Sequence, residues 1–313
     1  MRSRFLSILV LAGALTVSVV PAFSAKSRPA FTIPVWDTAD RNKGKVVMTA
    51  VIPDDGKESH IAVIICPGGS YFWLDKQNEG VRMAECLCER GIAAFVLSYR
   101  TAGEFNFIFE SRALYNGNAY PDMLDDVRQA LSIVRSRSDE FSVNASSVGI
   151  MGFSAGGHLA MMSAESYGGQ RPDFVALMYP VVTMSDESCV HHRSRRGLMG
   201  IRRGDTCLKD SLSVEKHVKD DCCPVFLLCC KDDKVVNPKN SEILDSALTS
   251  KGILHKFIYL PEGGHGFGYN AAGSGNNAFN WVDSFTDWVV DFRTDANHSR
   301  LYENHISRQL TCP

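Results

Sequence analysis

From about residue 45 onward, short apolar runs alternate with stretches of helical periodicity. Lys45 to Ile52 is rich in β-branched residues. Ile61-Ala62-Val63-Ile64-Ile65-Cys66 is a continuous apolar run stopped by Pro67-Gly68-Gly69, and Ile92 to Tyr99, Ser147 to Gly152, Phe174 to Val182, Pro224 to Cys230 and His255 to Leu260 repeat the pattern. Between them, Glu79 to Arg90, Pro121 to Arg137, Ala155 to Ser166 and Ser241 to Ser250 read as helices, and Val282, Phe285, Trp288, Val289 and Phe292 mark a last amphipathic one. In the second of these, Leu124, Val127, Leu131 and Val134 recur at helical spacing behind Pro121, a residue suited to a first turn. Strands that are apolar throughout, rather than alternating, have both faces covered. With helices between them they predict an α/β fold, a mostly parallel twisted sheet with helices on both faces.

Two segments break the rhythm. Thr101 to Asn118 carries Phe105, Phe107, Phe109 and Tyr115 without a clean period, and Met184 to Asp221 is polar and rich in His, Arg and Asp. Long irregular segments after strands are where such sheets bind ligands. No repeat, low-complexity tract or linker divides the chain, so residues 25–313 are expected to form a single domain. Ahead of them, Arg2 and Arg4, the uncharged apolar run Phe5 to Val20 and the small residues before Ala25 make the three-part pattern of a secretory signal peptide over residues 1–24, cut after Ser24 or Ala25. The run is shorter than the roughly 20 residues of a spanning helix, so the mature protein is expected to be secreted or periplasmic, with no membrane partner. Lys and Arg number 33 against 35 Asp and Glu, a net charge of −2. No global basic field exists to hold nucleic acid.

Gly152-Phe153-Ser154-Ala155-Gly156 fits G-x-S-x-G. At average usage of about 7% for each residue type, that pattern arises by chance in roughly one chain in ten of this length. The setting adds the weight: the motif follows the apolar run Val148 to Met151 and opens a helix of small residues. This is a nucleophile elbow, in which a sharp turn lifts the serine hydroxyl clear of the sheet and the N–H of Ala155 points at a developing oxyanion. A serine near its free pKa needs a base and an orienting acid, which follow an elbow in the order acid, then histidine. Asp232 and Asp233 follow the run ending at Cys230. Asp233 is preferred from its place ahead of the paired valines Val235-Val236, with Asp232 as the alternative. His265, in the glycine-flanked loop Pro261 to Gly268, is the base. His158 lies one helical turn past Ser154 and is expected to pack beneath it. His191 and His192 precede the acid, so they are candidates for touching substrate rather than for the base. The second oxyanion donor is expected in the loop after Cys66, with Gly69 the first choice and Ser70 the second. Ser70, Tyr71 and Trp73 are the candidate substrate-binding residues. The aromatic faces of Tyr71-Phe72-Trp73 suit a sugar ring, but also a core or rim position.

Of the ten cysteines, Cys66, Cys229 and Cys230 end apolar runs and Cys86 and Cys88 sit in a helical pattern, where free cysteine packs as a small hydrophobe. Cys189, Cys207, Cys222 and Cys223 lie in the loop-rich stretch and are the candidates for a bridge. No Cys or His spacing matches a zinc site. No metal or organic cofactor is expected.

These residues resemble those of α/β-hydrolase esterases of the acetylxylan-esterase and feruloyl-esterase-like group, related to prolyl oligopeptidases and often found among secreted polysaccharide-degrading proteins. The resemblance runs from about Pro67 to Phe292. It rests on Pro67-Gly68-Gly69-Ser70-Tyr71, Leu97-Ser98-Tyr99-Arg100, Gly152 to Ala160, Tyr179-Pro180-Val181-Val182, Ser194 to Gly200, Asp232 to Val236 and Gly264-His265-Gly266-Phe267-Gly268. It implies an α/β-hydrolase fold, a triad of Ser154, Asp233 and His265, oxyanion donors at Gly69 and Ala155, and a serine esterase acting on an acylated carbohydrate, xylan or a related glycan, or on a small ester. Two departures bear on substrate: Asn237 stands before Pro238 where the group has proline directly after the valines, and Thr101 to Asn118 lacks the short Pro-rich connection of the group. The alternatives are a prolyl-oligopeptidase-type peptidase, which the chain has no room to equip with a propeller, and a catalytically silent glycan-binding hydrolase fold.

Overall fold

A computed structural model describes residues 30–54, 56–109, 115, 117–165, 170–273 and 278–292. The signal-peptide expectation falls outside these residues. Eight strands form one sheet: β1 (Phe31–Pro34), β2 (Val47–Val51), β3 (Ala62–Cys66), β4 (Ala93–Ser98), β5 (Val148–Phe153), β6 (Val175–Met178), β7 (Val225–Cys230) and β8 (His255–Leu260). Their spatial order is β1-β2-β4-β3-β5-β6-β7-β8. The β1–β2 and β2–β4 pairings are antiparallel, and every other pairing is parallel. Within β3, Ala62, Ile64 and Cys66 enter one apolar core and Val63 and Ile65 the opposite one. Helices α1 (Arg82–Cys88) and α8 (residues 281–292) cover the second face. Helices α3 (Asp122–Ser136), α4 (Ala155–Glu165) and α7 (Lys239–Ser250) cover the first. The central strands β3 to β7 are therefore buried on both sides, which explains their unbroken apolar runs. This is the α/β-hydrolase fold.

The differences from the sequence reading have local causes. Strand β1 has one buried residue of four, so it leaves no apolar run to read. The run beginning at Phe174 leaves the sheet four residues early, because Tyr179 takes φ +38° and Pro180 has no N–H for a ladder. The helix expected from Glu79 begins instead as a π-turn, Lys76–Val81, and continues as α1. The two irregular segments hold short helices: α2 (Glu104–Ile108) in the first, α5 (His192–Met199) and α6 (Thr206–Ser211) in the second. All nine described cysteines are free thiols, so Cys189, Cys207, Cys222 and Cys223 form no bridge. Cys189 is buried while Cys207 is exposed, and Cys222 and Cys223 are chain neighbours. No helix among the described residues is long and apolar enough to cross a membrane.

One buried ion pair ties the end of β4 to α3. Asp126 is fully buried and accepts from the Arg100 N–H at 2.9 Å, the Arg100 Nε at 3.0 Å and the Trp36 Nε1 at 2.7 Å. Arg100 also reaches the half-exposed Asp122, through Nη1 to its carboxylate at 3.0 Å and through Nη2 to its carbonyl at 2.7 Å, so removing Asp126 takes away the buried partner of the guanidinium and leaves only the wetter one. Asp126→Ala is expected to cost about 3–5 kcal/mol, read as a lower urea midpoint at unchanged slope. A loss under about 1 kcal/mol would show that Asp122 and water suffice for the guanidinium.

Candidate active site

The site lies at the carboxyl ends of the parallel strands, where open α/β sheets hold ligands. Strands β3 and β5 are neighbours, with Cys66 paired to Gly152. The loop after Cys66 and the turn after Gly152 therefore emerge side by side. Ser154 takes φ +52°, a strained value for a residue with a Cβ. The flanking glycines permit the turn because neither position has room for a side chain. A Cβ on Gly152 would come within 2.1 Å of the Gly156 carbonyl oxygen, and one on Gly156 within 2.0 Å of the Cys66 carbonyl oxygen. Ser154 is 4% exposed, and α4 begins with the next residue.

The structure brings Ser154, His265 and Asp233 together. His265 Nε2 lies 3.0 Å from Ser154 Oγ, and His265 Nδ1 lies 2.6 Å from Asp233 Oδ2. The second oxygen of Asp233 accepts from the N–H groups of Val235 at 2.8 Å and Val236 at 3.0 Å. With that carboxylate accepting, Nδ1 carries the ring proton and Nε2 is left to accept from the serine hydroxyl. Asp232, the alternative acid, accepts instead from the Gly264 N–H at 2.8 Å. That bond holds its carboxyl below the usual range and pins the loop that carries His265. Gly264 and Gly266, on either side of His265, both take positive φ, which lets the loop fold back over Ser154.

The loop after β3 is the expected oxyanion side. The Gly68 N–H is already committed to Glu79 Oε2 at 2.6 Å. The N–H groups of Gly69, Ser70 and Ala155 meet no acceptor among the described residues. Gly69, the first choice, and Ser70, the second, therefore both remain available beside Ala155. Tyr71 requires a correction. Successive positive φ values at Ser70 (+54°) and Tyr71 (+65°) turn its ring beneath the loop. There Tyr71 is fully buried and its hydroxyl donates to His158 Nδ1 at 2.8 Å. Tyr71 is a core residue under the site, not a contact for a ligand. His158 donates through Nε2 to the Leu212 carbonyl at 2.7 Å, and burial pushes its pKa down to about 4. Trp73 remains half-buried at the rim, its ring edge-on to Phe107 at 5.0 Å. Ser70 is 7% exposed. His191, with Nδ1 2.8 Å from Ser194 Oγ, lines with His192, Asp233 and Lys234 a cavity of about 420 Å³.

Glu79 was not singled out by sequence reasoning. Its signal, an acidic residue where an apolar helix begins, reads as a solvated first turn. In the structure it is 4% exposed, and burial raises its pKa. Among the described residues no three His, Cys, Asp or Glu side chains converge as a metal site.

The model of the BD-FAE family matches residues 48–248. Over 234 residues the chain is 31% identical to an acetylxylan esterase of Xylanibacter ruminicola, covering 72% of this chain and 44% of that protein. Over 225 residues it is 33% identical to endo-1,4-beta-xylanase B of Butyrivibrio fibrisolvens, covering 68% of this chain and 33% of that protein. The chain thus spans less than half the length of these curated relatives. Among solved structures, it is similar to an acetyl ester-xyloside bifunctional hydrolase from Caldicellulosiruptor lactoaceticus, with 26% identity, a TM-score of 0.69, and coverage of 85% of this chain and 96% of that one.

Proposed function

The chain belongs to the BD-FAE family, and we propose that it is an exported serine carboxylic-ester hydrolase that removes acetyl groups from xylan or a related plant polysaccharide through an acyl-enzyme. The observation that carries this reading is the hydrogen-bonded chain from Asp233 through His265 to Ser154, beside the N–H groups of Gly69 and Ala155, which meet no acceptor among the described residues. His265 takes the proton of Ser154 as Oγ attacks the ester carbonyl. Asp233 keeps the imidazole in the accepting tautomer and stabilises the cation that forms. The Gly69 and Ala155 N–H groups receive the oxyanion, each donor worth about 2.7–4 kcal/mol in comparable sites. His265 then gives the proton to the departing sugar oxygen, which leaves as the alcohol, and water repeats the sequence on the acyl-serine. The names of the matched relatives support an acetylated xylan as substrate. The low exposure of Ser154 supports a small acyl group, and Trp73 at the rim supplies an aromatic face for a sugar ring.

The discriminating experiment offers acetylated xylan and a peptide p-nitroanilide to the same preparation, recovered from outside the cytoplasm with its N-terminus sequenced. Acetate release, no p-nitroaniline and a chain starting at Ala25 or Lys26 are expected. Peptide cleavage without acetate release assigns a peptidase instead. A mature chain that still starts at Met1 removes the export step.

A further inference from the structure

We propose that Glu79 is a positioning residue that locks the oxyanion loop and the loop carrying the base to one another; this rests on the esterase reading above. Its two carboxylate oxygens serve different parts of the site. Oε2 accepts from the Gly68 N–H at 2.6 Å, at the root of the oxyanion loop. Oε1 accepts from the Tyr179 hydroxyl at 2.7 Å. The Tyr179 ring lies against the imidazole of His265, with centroids 4.5 Å apart, and the Tyr179 oxygen accepts from the Gly268 N–H at 3.1 Å, three residues beyond the base. One side chain therefore reaches the oxyanion donors on one side and the base on the other.

The element that carries Glu79 strengthens the reading. Lys76–Val81 is a π-turn, an element common at functional sites because its extra residue redirects side chains. The neighbouring residue makes a second cross-link. Asn78 Nδ2 donates to the Gly266 carbonyl at 3.2 Å, and Asn78 Oδ1 accepts from Asn270 at 3.3 Å. The turn thus touches the loop of His265 through Asn78 and, through Glu79, both the oxyanion loop and Tyr179.

The chemistry requires a carboxylate at position 79. Both groups that reach it are donors, and the Tyr179 oxygen is already occupied by Gly268. An amide of the same shape satisfies only one of them. With its oxygen on Gly68, its NH₂ faces Tyr179, and the phenolic proton loses its acceptor. The Gly68 bond also decides which N–H groups are free. Gly68 is withdrawn from the oxyanion, and Gly69 and Ser70 are presented.

The test uses Glu79→Gln and Tyr179→Phe in the full chain, with p-nitrophenyl acetate as substrate and a boronic acid as a probe that forms a tetrahedral adduct on Ser154. Glu79→Gln is expected to lower kcat by roughly 10- to 100-fold, the scale of a 1 Å misplacement of catalytic groups, with KM changed less than threefold. Boronate inhibition should weaken in step with kcat/KM, which marks a loss confined to the transition state. Tyr179→Phe should lose several-fold in kcat, and the double variant should be no worse than Glu79→Gln, because the two side chains act as one unit. A folded Glu79→Gln with kcat within twofold of wild type, or a loss that appears wholly in KM, overturns the proposal. Should Glu79→Gln fail to fold, Tyr179→Phe decides alone, and wild-type kcat in that variant is the overturning result. Should the wild type not hydrolyse the ester, the esterase reading fails by itself. Fluorophosphonate labelling of Ser154, expected to be slower in Glu79→Gln, then tests the positioning role separately.

Discussion

Ser154→Ala is expected to lower p-nitrophenyl acetate turnover by roughly 10⁶-fold, the size of such a loss in serine hydrolases built on the same triad, while the protein stays folded. Only the hydroxyl is removed. Alanine inherits the φ of +52° with the strain it carries, and Gly152 and Gly156 keep the tight approach of the turn to Cys66. Stability should therefore move by less than about 1 kcal/mol, the ordinary range for a change that opens no cavity and strands no buried donor. The Oγ lost is the atom 3.0 Å from His265 Nε2, so the base is left with nothing to deprotonate except water. Residual activity comes from the N–H groups of Gly69 and Ala155 and from binding alone. Turnover that persists at even a tenth of the wild-type rate removes Ser154 as the nucleophile.

Asp233→Asn is expected to cost about 10⁴-fold in kcat, some 5.5 kcal/mol at 1.36 kcal/mol per decade. The structure shows why so small a change has so large an effect. Asp233 Oδ1 is held by two N–H groups, from Val235 and Val236, and an asparagine has to keep its oxygen there. Its NH₂ then faces His265 Nδ1, a position that Asp233 Oδ2 occupies at 2.6 Å. Nδ1 becomes an acceptor, the ring proton moves to Nε2, and Nε2 can no longer accept from Ser154. Stability and KM should change little, because the fork to the two valines survives. A variant that keeps more than a tenth of the wild-type kcat would point to Asp232 as a working substitute, which its bond to Gly264 argues against.

The parts legible in the sequence were those with a one-dimensional signature. Strands buried on both faces leave unbroken apolar runs, so β3, β4, β5 and β7 fell within a residue or two of their expected ends, and the half-buried edge strand β8 did so as well. The elbow announces itself because close backbone approach admits only glycine at positions 152 and 156. The candidate acid and base follow from strand order, since the adjacent parallel strands β7 and β8 deliver their loops to one rim. What stayed hidden depends on direction rather than composition. Tyr71 and Trp73 stand two residues apart in one aromatic cluster, yet positive φ at Ser70 and Tyr71 sends the first ring into the core and leaves the second at the rim. Glu79 was invisible for a related reason. A π-turn shifts the facing of the side chains it carries, so a helix read as beginning at Glu79 gives no sign that this carboxylate is buried beside Gly68 and Tyr179.

Ser154, Asp233 and His265 follow β5, β7 and β8, parallel strands of one sheet, and this separates holding from choosing. Ser154, Asp233 and His265 each stand close behind the end of a strand, within reach of the ladder that fixes them. The irregular segments 101–118 and 184–221 contribute no member of that trio. Those two segments can therefore be lengthened, shortened or rewritten to change what fits beside Ser154 while the trio itself stays in place.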